Sequence, residues 1–224
     1  TTKAASAVIT ASYGPVVQSV TVTVADGRFW YSLGNGLGNG QDNNWYLDGN
    51  GASVVSSDGK KTIVQMGSGY RGDLWLARSG KGKVVNVTPA DYRYFAIKVG
   101  FKSQLVPGKN KPNGCIKLEI FDDGIKKIGP EYFGTGGDAN NRYEILGASE
   151  ISTTEPNVLY YDLQSKYKTV TPTDWNQVFD LAQCKFVIAD FPETAQTYDL
   201  YWIRSFKSIE ELQAFVDSEN NTNE

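Results

Sequence analysis

The sequence predicts an all-β fold, an antiparallel β-sandwich of jelly-roll type with two short helices. Short apolar segments with strand periodicity recur along the 224 residues, and turn signals such as Asp58-Gly59 and Pro107-Gly108 separate them. The chain is also rich in residues that suit twisted sheets and tight turns, with 13 Tyr, 10 Phe, 5 Trp and 23 Gly. We expect one domain over residues 1–217 and a frayed polar tail over 218–224.

The predicted strands follow runs of β-branched and aromatic residues. Residues 20–24 alternate with a strict period of two, and Asp26-Gly27 leads into a candidate strand over 28–33. Further strands are predicted near 52–56, 61–66, 73–78, 83–87, 92–101, 115–121, 143–147, 158–163, 184–191 and 197–206.

The closing strand and the helix after it are the most clearly marked elements. Over 197–206, alternation predicts one face with Tyr198, Leu200, Trp202 and Phe206, and an opposite face with Tyr201 and Ile203. Ser208 and Glu211 then form a capping-box pattern, which predicts a helix near 209–218.

An interior helix is predicted near 172–182. Thr171 supplies a cap, Pro172 suits the first helical position, and Asp174 follows in the first turn. Trp175, Val178, Phe179 and Ala182 have helical spacing and would form its apolar face.

Composition excludes several classes of function. The net charge of −3 and the lack of a basic block argue against nucleic acid as a partner. His is absent, which removes the usual general base and the commonest transition-metal ligand. No apolar run is long enough for a transmembrane span. Cys115 and Cys184 lie in strand-like runs, where buried thiols and a disulfide both stay open.

A glycine-and-asparagine segment at residues 34–44 is the main candidate site. Its glycines suit positive φ, and their spacing does not match a nucleotide-binding loop. Aromatic faces stack on pyranose rings, while amides and carboxylates bond the hydroxyls. We therefore expect glycan contacts from aromatic and polar residues in and beside the segment: Trp30, Trp45, Tyr46, Asp42, Asn43 and Asn44. The alternative is that Trp30 and Tyr46 are core residues at strand ends.

A second candidate lies in residues 70–75. Tyr70 and Trp75 would supply aromatic faces, and Arg71 and Asp73 would bond hydroxyls or a uronic carboxylate. The alternatives are an ion pair at a strand edge and an integrin-type Arg-Gly-Asp motif.

Cofactor and catalytic signals are weak. We expect no cofactor, although oxygen ligands for calcium occur at Asp48, Asn50, Asp138, Asn140 and Asn141. A glycosidase needs two carboxylates across the scissile bond. The available acids form no recognisable pair: Asp73, Glu119, Glu131, Glu144 and Asp162.

Two segments near the end of the chain carry a family resemblance. The first is residues 201–212, Tyr-Trp-Ile-Arg-Ser-Phe-Lys-Ser-Ile-Glu-Glu-Leu, and residues 174–191 fit the same pattern. It resembles closing segments of an uncharacterised β-sandwich domain in gut Bacteroidetes surface lipoproteins from polysaccharide-utilisation loci. That family is similar in fold to carbohydrate-binding modules. The resemblance implies a jelly-roll-like sandwich, export to the cell surface and glycan handling, and it assigns no catalytic residue.

Together these observations predict a non-catalytic domain that binds a polysaccharide or oligosaccharide on a bacterial surface. The chain does not begin with Met, and we expect a mature piece of a longer multidomain surface protein. The expected location is the outer-membrane surface, as a lipoprotein, or the periplasm of a Gram-negative bacterium. The alternatives are a glycoside hydrolase with paired carboxylates and a structural or protein-interaction module of a surface complex.

Overall fold

The structure is a computed structural model. It describes residues 5–24, 28, 30–38, 45–48, 51–68, 72–78, 81–82, 85–87, 90–102, 115–122, 131–134, 144–164, 179–189 and 197–221. In chain order the elements in these ranges are β1 (Ala5–Tyr13), β2 (Val16–Val24), β3 (Trp30–Ser32), β4 (Tyr46–Asp48), β5 (Ser53–Ser57), β6 (Thr62–Gln65), β7 (Asp73–Arg78), β8 (Lys81–Gly82), β9 (Val85–Val87), β10 (Tyr94–Phe101), β11 (Cys115–Asp122), β12 (Glu131–Gly134), β13 (Glu144–Ile145), β14 (Asn157–Asp162), β15 (Phe179–Ala189), β16 (Thr197–Phe206) and α1 (Ile209–Asn221).

The strands form two seven-stranded sheets and a separate hairpin. Sheet I has the order β13-β14-β10-β16-β6-β5, with β3 also paired to β16. Sheet II has the order β12-β11-β15-β7-β4, with β8 on β7 and β9 on β15. The chain passes repeatedly from one sheet to the other, as in double-sheet jelly rolls. The predicted antiparallel β-sandwich is confirmed.

The core lies between the inner faces of the two sheets. Phe186 of sheet II lies at the centre of this core. Its ring centroid is 5.4 Å from that of Phe95 and 5.7 Å from that of Tyr161, and both of these residues are in sheet I. The Tyr198 side chain also reaches across the core, and its hydroxyl donates a hydrogen bond to the carbonyl of Gly72 at 2.7 Å. Edge-to-face and tilted contacts of this kind add to the burial of apolar area.

A β-bulge changes the predicted faces of β16. Its register with β10 shifts between Lys98 and Val99, so that Tyr201 is an extra residue without a partner across the ladder. The alternation is therefore interrupted. Tyr198, Leu200 and Ile203 are in the main core, whereas Trp202 and Phe206 are in a second cluster under α1. The prediction that Trp202 and Phe206 share a face with Tyr198 was wrong for this reason.

The capped helix α1 is confirmed. The Ser208 hydroxyl accepts the amide of Glu211 at 3.2 Å, and the Glu211 carboxylate accepts the amide of Lys207 at 2.7 Å. The helix continues to Asn221, so residues 218–221 are helical rather than frayed. Glu219 explains the extension, because its carboxylate accepts hydrogen bonds from Trp202 Nε1 at 3.0 Å and Lys98 Nζ at 3.2 Å.

The helix predicted near 172–182 is wrong where the structure describes it. Residues 171–178 lie outside the described ranges, and residues 179–182 belong to β15. Phe179 and Leu181 pair with β9, and β15 continues along β11. Sheet pairing on both sides thus outweighs the helical spacing of Phe179 and Ala182, which is a weak local preference.

Cys184 is a buried free thiol. Its neighbour across the ladder in β11 is Ile120, which is five residues from Cys115. At about 3.3 Å per strand residue this separation exceeds disulfide reach. Burial also raises the pKa of the Cys184 thiol far above its usual range. The two cysteines therefore do not pair.

The hairpin of β1 and β2 forms a sheet of its own. All nine residue pairs are in continuous antiparallel register, from Ala5 opposite Val24 to Tyr13 opposite Val16. Within the described ranges neither strand pairs with sheet I or sheet II.

Candidate functional site

The main aromatic of the predicted loop site is part of the core. Trp45 is 0% exposed. Its ring centroid lies 5.7 Å from that of Phe186 and 6.0 Å from that of Tyr31. A sugar has no access to its face, so the stacking role predicted for Trp45 is wrong. The polar residues before it predicted exposure, but Trp45 itself lies in the core between the sheets.

The glycines of this segment serve a tight backbone contact. A Cβ at Gly34 would lie 2.4 Å from the carbonyl oxygen of Gly59. The Gly59 amide donates to the Gly34 carbonyl at 3.0 Å. Gly36 and Gly38 have φ of 102° and 64°, as the glycine content predicted. The described part of the segment thus closes against the turn that begins at Asp58.

Three other predicted site residues share the outer face of sheet II. Tyr46 pairs with Trp75, and Asp73 lies two residues before Trp75 on the same side of β7. Lys185 of β15 completes the group, with its Nζ 4.6 Å from the centroid of the Trp75 ring and 3.8 Å from the Asp73 carboxylate. Asp73 and Trp75 are 4% and 8% exposed, so this face offers little access to a ligand.

The Arg-Gly-Asp reading does not fit this geometry. A Cβ at Gly72 would meet the Tyr198 ring at 3.1 Å, and the next residue, Asp73, is the buried first residue of β7. The buried Asp73 supports the alternative of a strand-edge ion pair. Of the remaining predicted residues, Trp30 pairs with Arg204 through its backbone in β3, and its side chain lies outside the described ones. Asp42, Asn43, Asn44, Tyr70 and Arg71 lie outside the described residues.

A polar and aromatic surface with a buried acid and partly exposed side chains around it lies on the outer face of sheet I, beside α1. The helix covers Trp202 and Phe206, whereas the other half of the face has charged side chains around one tyrosine. We call this surface the Asp199 patch. Its members come from β16, β10 and the positions flanking β6 and β10: Asp199, Tyr201, Lys98, Lys61 and Lys102.

Asp199 is the centre of the patch. It lies between Gly100 and Ile63 of the neighbouring strands and is 2% exposed. Its Oδ2 accepts hydrogen bonds from Lys61 Nζ at 2.7 Å and from Lys102 Nζ at 3.0 Å. The ion pair with Asp199 raises the pKa of Lys61. Lys102 is 53% exposed, so the cluster reaches the surface.

Within the part of the chain that the structure describes, the second carboxylate oxygen of Asp199 has no hydrogen-bond partner. Oδ1 is buried, although a carboxylate accepts bonds at both oxygens. Leaving such an atom unsatisfied is costly, and sites of this kind occur where a ligand or water completes the bonding. This single atom marks the patch as a place where a hydrogen-bond donor is expected.

Tyr201 supplies an aromatic face at the edge of the same cluster. It is partly exposed, and Lys98 Nζ lies 5.5 Å from its ring centroid. Burial raises the pKa of its hydroxyl; the charge of Lys61 lowers it, and those of Asp199, Asp58 and Glu155 raise it further. These influences place the ring among charged groups of both signs.

The sequence marks this patch only by an acid, Asp199, within the strand-like run 197–206. It does not show the glycine opposite that acid, because only the register brings Asp199 and Gly100 together. Gly100 leaves room there, since a Cβ would lie 3.4 Å from the Asp199 Cβ.

Within the described ranges, His, Cys, Asp and Glu form no group of three that would hold a metal ion. Asn50, Asp138, Asn140 and Asn141 lie outside those ranges, as does the side chain of Asp48. The structure therefore leaves the calcium hypothesis as a prediction. No helix in the part described has the length and apolar character to cross a membrane.

Fold and site together define an antiparallel β-sandwich domain with a charged, aromatic patch on one outer sheet face. The chain belongs to the family DUF4979, described as a domain of unknown function, whose model matches residues 33–212. No curated protein matches the chain. No solved structure matches it either.

Proposed function

We propose that this protein binds a glycan without catalysis, and that the Asp199 patch is the binding site. The observation that carries the proposal is the buried Asp199 carboxylate with an unpartnered Oδ1 beside the partly exposed ring of Tyr201. A pyranose needs both features, because it has an apolar C–H face and hydroxyl groups around its edge.

The chemistry of each group gives it a separate role. Tyr201 offers a ring on which the C–H face of a sugar stacks. Asp199 accepts a bond from a hydroxyl at Oδ1, and the exposed ammonium of Lys102 donates to a hydroxyl oxygen. Oδ1 is buried, so binding requires a small shift of the lysines that cover the carboxylate.

The ion pairs of other acids favour binding over hydrolysis. Asp162 is held by Arg93 through two bonds of 2.7 and 2.6 Å, and Asp73 faces Lys185. The general acid of a glycosidase needs a raised pKa, so that it can donate its proton to the leaving group. An acid that is paired with an arginine or a lysine is therefore a poor proton donor.

Affinity electrophoresis tests the proposal. The wild type should be retarded in gels that contain a soluble polysaccharide from a panel of neutral and uronic polymers. Tyr201→Ala should lose at least about tenfold in affinity, the effect of roughly 1.4 kcal/mol of lost stacking and burial. Tyr160→Ala is the matched control, because Tyr160 is a partly buried tyrosine on sheet I, beside Tyr94 and away from Asp199.

Two outcomes would contradict the proposal. Absence of retardation across the panel would remove glycan binding. Equal loss in the Tyr160 and Tyr201 variants would remove the Asp199 patch as its site. Release of reducing ends by the wild type would support the hydrolase alternative.

The proposed location is the surface of a Gram-negative bacterium, as part of a longer lipoprotein. Its support is the resemblance of the closing segment to gut Bacteroidetes surface lipoproteins. One patch of this size gives modest affinity, and neighbouring binding domains would raise the avidity through effective concentration. Protease accessibility on intact cells expressing the natural protein should show cleavage without lysis; protection until lysis would exclude the surface.

A further inference from the structure

We propose that the hairpin of β1 and β2 is a dimerisation element, and that its apolar face is covered by the same hairpin of a second copy of this chain. The proposal is independent of glycan binding. The hairpin lies outside residues 33–212, the part matched by the family. It also has no pairing with either sheet of the sandwich among the described strands.

The two faces of the hairpin differ sharply in polarity. Residues directly opposite each other in an antiparallel pair share a face. Among the described side chains, the face that contains Ile9 and Val20 is apolar at every position except Gln18, and its members are Ala7, Ile9, Ala11, Tyr13, Val16, Gln18, Val20 and Val22. The opposite face has hydroxyl groups at all described positions but Val8 and Val17, and its other members are Thr10, Ser12, Ser19 and Thr21.

The apolar face is uncovered. Ile9, Val20 and Val22 are 58%, 56% and 44% exposed, and Tyr13 at the turn is 89% exposed. A contiguous apolar stripe of this kind marks an interaction surface, and a two-stranded hairpin is marginally stable without a layer against it. Burial by a partner would therefore stabilise the hairpin as well as join the two molecules.

Charge and shape favour a second copy as that partner. Residues 5–24 contain no Asp, Glu, Lys or Arg, so two identical faces meet without repulsion and without a buried ion. Ala7 and Ala11 lie two residues on either side of Ile9 on the same face. A twofold axis through the Ile9 pair, lying in the interface and perpendicular to the strands, places Ala7 of each copy opposite Ala11 of the other. The small alanine side chains then leave room for the two Ile9 side chains to pack.

The resulting assembly is a four-stranded, two-layer sandwich. At about 3.4 Å per residue and about 4.8 Å between strands, the face of each hairpin covers roughly 300–400 Å². This is below the area of a standard interface, so the dimer should be weak and concentration-dependent. The strand edges also lack the lysines and prolines that usually block edge-to-edge pairing.

Sedimentation velocity of the 224-residue chain, from about 1 µM to about 500 µM, tests the proposal. A dissociation constant in the micromolar range is expected, as for small interfaces. Val20→Lys should weaken the dimer at least about tenfold, because it puts an ammonium into the apolar contact. Thr21→Lys is the matched control, since the adjacent residue lies on the hydroxyl face, and it should change the constant less than about threefold.

The folding of the sandwich and the location of the contact on the hairpin are checked in the same samples. All five tryptophans lie outside the hairpin, so their emission reports the sandwich in both variants and should be unchanged. Amides of β1 and β2 should exchange more slowly at high concentration in the wild type but not in Val20→Lys. A monomer at every concentration overturns the proposal and leaves the face for a sheet of a different domain. Equal weakening by both lysines also overturns it, in favour of pairing at the strand edges.

Discussion

Trp45 and Tyr201 show how little the neighbours of an aromatic residue reveal about its exposure. Trp45 follows four polar residues at the end of a glycine-rich segment and is nevertheless fully buried. Tyr201 lies between the buried residues Leu200 and Trp202 and is nevertheless partly exposed among charged groups. The tertiary structure explains the difference, because Trp45 lies in the core between the sheets, whereas a bulge turns Tyr201 to the outer face of sheet I.

The largest expected effect distinguishes core from surface. Trp45→Ala should lower the free energy of unfolding by about 3–5 kcal/mol, because it leaves a cavity against Phe186 and Tyr31. Tyr201→Ala should cost only about 1 kcal/mol or less, since its ring is partly in water already. Urea titration followed by circular dichroism measures both. Similar losses in the two variants would mean that the contrast between these positions is wrong.

A middle-sized effect is expected for the centre of the Asp199 patch. Asp199→Asn removes the charge that Lys61 and Lys102 share, and should lower the free energy of unfolding by about 1–3 kcal/mol. Glu155→Gln, at an exposed acid near Tyr201, is the control and should change stability by less than about 0.5 kcal/mol. If Asp199→Asn leaves stability unchanged but abolishes polysaccharide binding, the carboxylate serves the ligand alone.

The smallest effect is a difference in alkaline sensitivity. Burial raises the pKa of Tyr31 from 10.0 to about 12. The folded protein thus holds this proton more tightly than the unfolded chain does. The corresponding stability is fully present below pH 10.0 and is lost as pH rises towards about 12.

Urea midpoints of the wild type, Tyr31→Phe and Tyr201→Phe between pH 8 and 11.5 measure this difference. Tyr31→Phe should reduce the alkaline loss of stability more than Tyr201→Phe does, because Tyr31 lies against the core at Trp45. The reverse order would indicate that Tyr201 is the more buried ring.

Most strands were predictable because their signal is local. Alternation and turn residues located β10 and β14 within two residues at either end and β16 with the same bounds. The helix predicted near 172–182 failed over 179–182 because a helical spacing of apolar residues does not exclude a strand that is paired on both sides. The predicted faces of β16 were wrong because nothing in the order Leu200-Tyr201-Trp202 shows that Tyr201 has no opposite residue in β10.

The candidate site was predicted less well for the same reason. Tyr46, Asp73 and Trp75 do lie together, but on a covered face of sheet II with Lys185, which the sequence analysis did not select. The members of the Asp199 patch come from positions 61, 98, 102, 199 and 201, and only the pairing of three strands unites them.

By itself the sequence determined the class of fold, the capped helix at its end and the positive-φ glycines after β3, because periodicity, capping and glycine conformation act within a few residues. Tertiary structure alone decided which aromatic rings are buried and which charges meet. Those outcomes depend on register across sheets, and a single bulge at Tyr201 changes them without any local mark in the sequence.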